Sequence, residues 1–448
     1  MIRAFAKMFV VLVVWVAGVA GAAELTLTVD RADAVYACGE EATVRVTTHD
    51  AQGGTLSAGQ VAFTVDAFGT NRLFSRTLDM AKENPYVWRG TLKEPGFLRC
   101  AATPVGAKGG KPVVVGIAFD PQGIRLGSGG APEDFDAYWQ SEIARLDRAV
   151  PLEPRISSVG VSHGAESFLV SFATFNGKRV YGFLTVPTDH TKAPFPVRFS
   201  VPWAGPGVHA PEAWPDDAEA VTLVMNVHDF EPGPDAVAQR RKYDEQSRRY
   251  ADEVKGVSLK SSYENHRYAG YADRSSYFYH DALLGIRRAF LWVLARPDVD
   301  RMRVGYFGRS QGGGLGIILA ALTPEIKRAL FCQPAMADMQ AYRQGRRSGW
   351  PMLVERATLE NRAAVERTAA YYDAGHFAAR LACESRVIIG FADDTCPPPC
   401  VYAAYNAIRA PKSIVHDVGV PHSDPSSYRQ NQAWVLGVPA RAAEKADQ

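Results

Sequence analysis

The sequence predicts an α/β fold, a doubly wound and mostly parallel sheet, preceded by an all-β sandwich of immunoglobulin-like type. Three observations carry that expectation. From about Leu25 to Asp120, short β-branched or alternating runs follow one another with turn residues between them and no helical period. After the stretch Gly127-Ser-Gly-Gly-Ala-Pro132 the apolar period becomes helical. Strands and helices then alternate to near the end of the chain, as a parallel sheet requires.

The elements follow in order. Arg3 and Lys7 precede an apolar run from Met8 to Val19, and Ala20-Gly21-Ala22 offers the small residues a signal peptidase needs. Residues 1–22 are therefore expected to be an export signal, its apolar core too short for a comfortable membrane span. The sandwich is expected over 23–122, from Leu25-Thr-Leu-Thr-Val, Ala42-Thr-Val-Arg-Val, Val61-Ala-Phe-Thr-Val and Lys111-Pro-Val-Val-Val-Gly-Ile, with shorter runs at Leu73, Tyr86-Val-Trp88 and Phe97-Leu-Arg-Cys100. A linker is expected over 123–132. The α/β domain should occupy 133–448, opening on a helix whose apolar face is Phe135, Tyr138, Trp139, Ile143 and Leu146. Its strands should include Tyr181-Gly-Phe-Leu-Thr-Val, Val197-Arg-Phe-Ser-Val, Val221-Thr-Leu-Val-Met, Arg303-Val-Gly-Tyr-Phe, Ala329-Leu-Phe and Val387-Ile-Ile-Gly. Helices are expected at 277–296, 312–322 and 402–408.

Composition narrows the partners. Fifty basic residues against 48 acidic leave a net charge of +2, so nothing electrostatic points to nucleic acid or to an anionic membrane. No later run reaches eighteen apolar residues, and no stable membrane insertion is expected of the mature chain. The six cysteines are too few for a disulfide framework at this length. Most should be buried thiols, with room for one bridge such as Cys38–Cys100, and none has metal-site spacing.

The sharpest chemical signal is Gly308-Arg-Ser310-Gln-Gly312, between the strand Val304-Gly-Tyr-Phe and an apolar helix. A strand–turn–helix with small flanking residues is the setting of a nucleophile elbow, which lifts a serine hydroxyl above the sheet edge at the positive end of the helix. Ser310 is the candidate nucleophile of an α/β-hydrolase.

A serine hydroxyl needs a base and an acid, which in this fold follow the nucleophile in the order acid, then histidine. His422, in the loop Gly419-Val-Pro-His-Ser-Asp, is preferred over His416, which lies within a strand and reads as a hydrogen-bonded structural residue. Asp393, nearest the end of the strand Val387-Ile-Ile-Gly, is preferred as the acid over Asp394, which suits a turn or cap. One oxyanion donor should be the N–H of Gln311. The other should come from Trp203, Ala204 or Gly205, because Pro202 and Pro206 carry no N–H.

With these residues in view, Pro132-Glu-Asp-Phe-Asp-Ala-Tyr-Trp139, Gly308-Arg-Ser-Gln-Gly-Gly313, Gly390-x-x-Asp393-x-x-Cys-Pro-Pro398 and Tyr402-Ala-Ala-Tyr-Asn406 resemble the acetyl xylan esterase/cephalosporin-C deacetylase family, carbohydrate esterase family seven. Thr91-Leu-Lys-Glu-Pro-Gly-Phe-Leu-Arg-Cys100 and Gly349-Trp-Pro351 are similar to a subset with an N-terminal sandwich. The resemblance implies a Ser310–Asp393–His422 triad, a second oxyanion donor at Ala204 where many members carry tyrosine, and no metal or organic cofactor. Trp203 replaces a glycine of the oxyanion loop, Arg309 a small residue, and Pro421 the glycine before the histidine. Better-known members form ring-shaped hexamers, so the resemblance raises homo-oligomerisation, which an added sandwich can alter or forbid.

The function these readings predict is an exported serine esterase, secreted or periplasmic, that removes acetyl groups from sugars or xylo-oligosaccharides. Trp203 and Trp350 are candidate substrate-binding residues that would narrow the pocket. Two alternatives stand beside it. One is an α/β-hydrolase acting on larger esters or peptides. The other is a glycan-binding protein with an inactive hydrolase domain, in which Trp88 or Tyr86 contacts sugar rather than packing in the sandwich core.

Overall fold

Alternating burial along the N-terminal strands builds two small sheets that share one interior. The computed structural model describes residues 10–16, 23–50, 52–54, 59–68, 70–106, 112–210, 217–254, 257 and 262–437. Its first strands are β1 (Val10–Val16), β2 (Ala23–Val29), β3 (Val35–Tyr36), β4 (Ala42–His49), β5 (Gln60–Asp66), β6 (Arg72–Asp79), β7 (Tyr86–Gly90), β8 (Gly96–Pro104) and β9 (Val113–Phe119). They form one sheet in the order β1-β2-β4-β7 and another in the order β3-β9-β8-β5-β6. On β4, Ala42, Val44 and Val46 are buried while the residues between them are not, the period of a half-buried strand. Phe63 of one sheet meets Tyr86 and Trp88 of the other at ring separations of 5.9 and 6.4 Å, so both aromatics pack within the sandwich.

The expected export signal lies partly outside the described residues, including Ala20-Gly21-Ala22. Val10–Val16 pairs antiparallel with β2 as an edge strand.

The α/β part adds β10 (Arg155–Ser162), β11 (Ala165–Ala173), β12 (Arg179–Pro187), β13 (Phe195–Ser200), β14 (Val221–Met225), β15 (Val299–Arg309), β16 (Arg328–Cys332), β17 (Glu384–Gly390) and β18 (Lys412–Asp417). These make one nine-stranded sheet in the order β10-β11-β12-β14-β13-β15-β16-β17-β18. From β14 through β18 neighbouring strands run parallel, whereas β10 to β12 and the β12–β14 pair are antiparallel. The antiparallel pair β10–β11 has no counterpart among the expected strands. β10 is exposed at every position, so it carries no alternation to read.

The helices are α1 (Phe135–Ala149), α2 (Ala236–Arg249), α3 (Tyr279–Leu294), α4 (Gln311–Leu322), α5 (Arg362–Tyr372), α6 (Ala374–Ala378), α7 (Pro398–Ala407) and α8 (Ser426–Asn431). The sheet's pleat sends Tyr306, Phe331, Val387 and Ile389 into the main core, and Phe307, Leu330, Cys332 and Ile388 into a second core closed by Tyr428 and Val435. Phe199 of β13 stacks on Phe290 of α3 at 4.1 Å. Burial on both faces is why the central parallel strands read as continuous apolar runs.

The linker is held in place. A Cβ on Gly127 would meet the Gln340 carbonyl oxygen at 2.2 Å. Gly127 N–H donates to Asp338 Oδ1 at 2.6 Å, and Ser128 Oγ lies 2.8 Å from His376 Nε2. The sandwich itself packs on the α/β part: Phe97 lies edge-on to Phe391 at 5.1 Å, and Asn406 Nδ2 donates to the carbonyls of Pro121 and Ile124. All six cysteines are free thiols, so the pairing of Cys38 with Cys100 left open above is not made. Among the described residues no helix is long and apolar enough to cross a membrane.

Candidate active site

Ser310 occupies the step from β15 to α4. Its φ of 55° and ψ of −121° are strained for a residue with a side chain, as a nucleophile elbow demands. The surrounding glycines explain how so sharp a turn closes. A Cβ on Gly312 would stand 1.9 Å from the Val201 carbonyl oxygen, and one on Gly308 would stand 2.3 Å from that of Gly312. The elbow is locked by backbone bonds, Ser310 N–H to Cys332 O and Ala335 N–H to Ser310 O, both 2.9 Å. Ser310 is 5% exposed.

Three distant side chains meet here. His422 Nε2 lies 2.8 Å from Ser310 Oγ, and His422 Nδ1 lies 2.8 Å from Asp393 Oδ2. Asp393 is fully buried, and its other oxygen accepts the N–H groups of Thr395 and Cys396, each at 2.8 Å. Those two donors satisfy one carboxylate oxygen and aim the second at the imidazole. Asp394 is exposed. His416 instead bonds the Tyr402 hydroxyl from within β18, at 2.6 Å, and burial holds its pKa below the usual histidine value.

Gln311 is the first residue of α4, where backbone N–H groups have no partner inside the helix. Its side chain bridges two neighbours: Oε1 accepts from the Tyr279 hydroxyl at 2.7 Å, and Nε2 donates to Pro202 O at 3.4 Å. Ala204 sits in the loop after β13, which lies directly against the elbow through Val201 and Pro202. That loop is clamped from below by buried polar side chains. His228 Nε2 faces Gly205 O at 2.9 Å, while Nδ1 faces Gln246 Oε1 at 2.8 Å. Gln239 Nε2 donates to Pro206 O, and Asn226 bonds both the N–H and the carbonyl of Val208. Burial lowers the His228 pKa to about 4.

The two tryptophans have separate partners. Trp203 is 56% exposed, with the Arg309 guanidinium 5.7 Å from its ring centre. Trp350 is half-buried under the Arg267 guanidinium at 5.0 Å.

Among the described residues, Asp393, Cys396 and His422 bring potential metal-ligand atoms within 4.8 Å of one another. Two of the three already bond each other, and burial pushes the Cys396 thiol well above its usual pKa, so a cation here would have to displace the Asp393–His422 contact. Reading the sequence alone missed Cys396, Tyr279, His228 and Gln333 as neighbours of the site. The one trace of Gln333 is a polar residue ending the apolar run Ala329-Leu-Phe-Cys332.

The acetyl xylan esterase (AXE1) family model matches residues 126–436. The acetyl esterase Axe7A of Xylanibacter ruminicola is 29% identical over 397 residues, 87% of this chain and 84% of that protein. Among solved structures, the acetyl xylan esterase from Paenibacillus sp. R4 is similar with a TM-score of 0.57 at 23% identity, covering 71% of this chain and 98% of that one. Acetyl xylan esterase 1 from Thermoanaerobacterium sp. JW/SL YS485 gives 0.55 at 22% identity, covering 70% and 96%. Both share the fold of the α/β part.

Proposed function

The chain belongs to the acetyl xylan esterase family of carboxylic ester hydrolases, and from that premise we propose that it removes acetyl groups from sugars or xylo-oligosaccharides by a serine mechanism. The observation that supports this reading is the hydrogen-bonded run from Ser310 through His422 to Asp393, each link 2.8 Å. Ser310 Oγ attacks the acetyl carbonyl carbon as its proton passes to His422 Nε2. The N–H groups of Gln311 and Ala204 hold the oxyanion. Collapse breaks the bond to the sugar oxygen, which takes the proton from His422 and leaves. Water then adds to the acetyl-serine, giving its proton to His422, and acetate departs with Ser310 restored. Asp393 holds the imidazole tautomer and stabilises its charged form.

Trp203, exposed at the start of the oxyanion loop, is assigned to the substrate's approach together with Trp350. Residues 1–22 are assigned to export, to the periplasm or beyond. The decisive experiment compares the parent with Ser310→Ala on an acetylated xylose. Loss of acetate release is expected, and retained release would refute the assignment.

A further inference from the structure

We infer that Gln333 is a positioning residue for His422, an inference that rests on the esterase reading above. Gln333 follows β16, is fully buried and has a φ of 44°. Left-handed backbone is costly for a residue with a side chain, and persists where the surroundings dictate it. Here the backbone N–H is tied to Ile388 O at 2.8 Å, and the side chain reaches the loop after β18. Its amide nitrogen donates to Pro421 O at 2.8 Å, and its amide oxygen accepts from Ser423 N–H at 3.2 Å. His422 lies between the two.

A primary carboxamide sets an N–H donor and a carbonyl acceptor on one side, as the N–H and C=O of a single strand residue are set. Gln333 therefore binds the loop as an added rung of strand would, gripping the backbone on both sides of the imidazole. The residue type follows from the geometry. A glutamate has no donor for Pro421 O when ionised, a methionine has neither group, and an asparagine is one methylene shorter. The neighbouring strand leaves room for the amide: a Cβ on Gly390 would come 2.6 Å from Gln333 Nε2. Arg309 adds a bond to the same loop, from a guanidinium nitrogen to Ser423 O at 3.1 Å. Since small displacements of a proton-transfer group are felt strongly in rate, the grip acts on turnover more than on substrate binding.

The test compares the parent, Gln333→Met and Gln333→Glu on an acetylated xylose, with Ser310→Ala as reference. Gln333→Met should lower kcat about tenfold or more with KM within about twofold, and should weaken the downfield proton resonance of the His422–Asp393 bond. Gln333→Glu can donate to Pro421 O only while protonated, so its kcat should gain a descending limb as pH rises that the parent lacks. A parental kcat in Gln333→Met, or a parental pH profile in Gln333→Glu, overturns the inference. If the methionine variant does not fold, the glutamate profile decides alone. Activity in Ser310→Ala would instead overturn the esterase reading, which keeps the two failures apart.

Discussion

The Ser310 hydroxyl lies 2.8 Å from His422 Nε2 across 112 residues of sequence. On the proposed serine mechanism this contact between a strained elbow and a distant loop is the path of proton transfer. Asp393→Asn should keep the shape but favour the wrong imidazole tautomer, lowering kcat by about 10⁴. Asp394→Asn, on an exposed side chain, should leave kcat within about twofold and stability within about 0.5 kcal/mol. Steady-state kinetics on one acetylated sugar separates the two aspartates; a large loss at 394 with none at 393 would reverse their roles.

Gly312 faces the Val201 carbonyl oxygen, 1.9 Å from where a Cβ would sit. That neighbour is backbone, which cannot rotate aside. Gly312→Ala should cost about 1–3 kcal/mol of stability and shift the oxyanion loop, lowering kcat. Denaturant midpoints and kinetics measured together check this; parental values in both would mean that the loop yields freely.

The sandwich meets the loop that carries Asp393, the proposed acid. A Cβ on Gly116 of β9 would stand 2.0 Å from the carbonyl oxygen of Phe391, two residues before Asp393. Gly116→Val should therefore lower kcat with little change in KM, although residue 116 lies in the other sheet system. Unaltered kinetics in a stable variant would show that this contact is indifferent to catalysis.

His228 should tie acid stability to the loop after β13, through its contact with Gly205 O. Burial lowers its folded pKa to about 4, against about 6.5 unfolded. The unfolded chain thus binds the proton first, and the stability held above pH 6.5 is lost as pH falls toward 4. Fully expressed, this loss is on the order of 3 kcal/mol. Asp338 and Asp373, raised to about 6 by burial, act in the opposite sense over the same window. They are common to parent and His228→Gln and cancel in the comparison. The stability gap between the two proteins should narrow from pH 7 to pH 4.5, as urea midpoints would show; a constant gap would mean that His228 does not carry the linkage.

Much of this was legible in the residues themselves. Gly308, Ser310 and Gly312 between an apolar strand and an apolar helix specify an elbow because few other sequences can close that turn. The order of Asp393 and His422 after it, each just past a strand, narrowed the partners to four side chains. β10 escaped notice because a strand exposed on both faces has no alternation, and α2 because its helical face is largely polar.

Local chemistry in the chain thus dictated the elbow, the alternating strands and the candidate acid and base, since each depends on neighbours within a few positions. The grip of Gln333 on the loop of His422, the clamp of His228 on Gly205 and the seat of Phe391 against Gly116 came only from folding. Each joins groups far apart in sequence through one or two hydrogen bonds or one backbone approach, and such pairings leave no periodic trace along the chain.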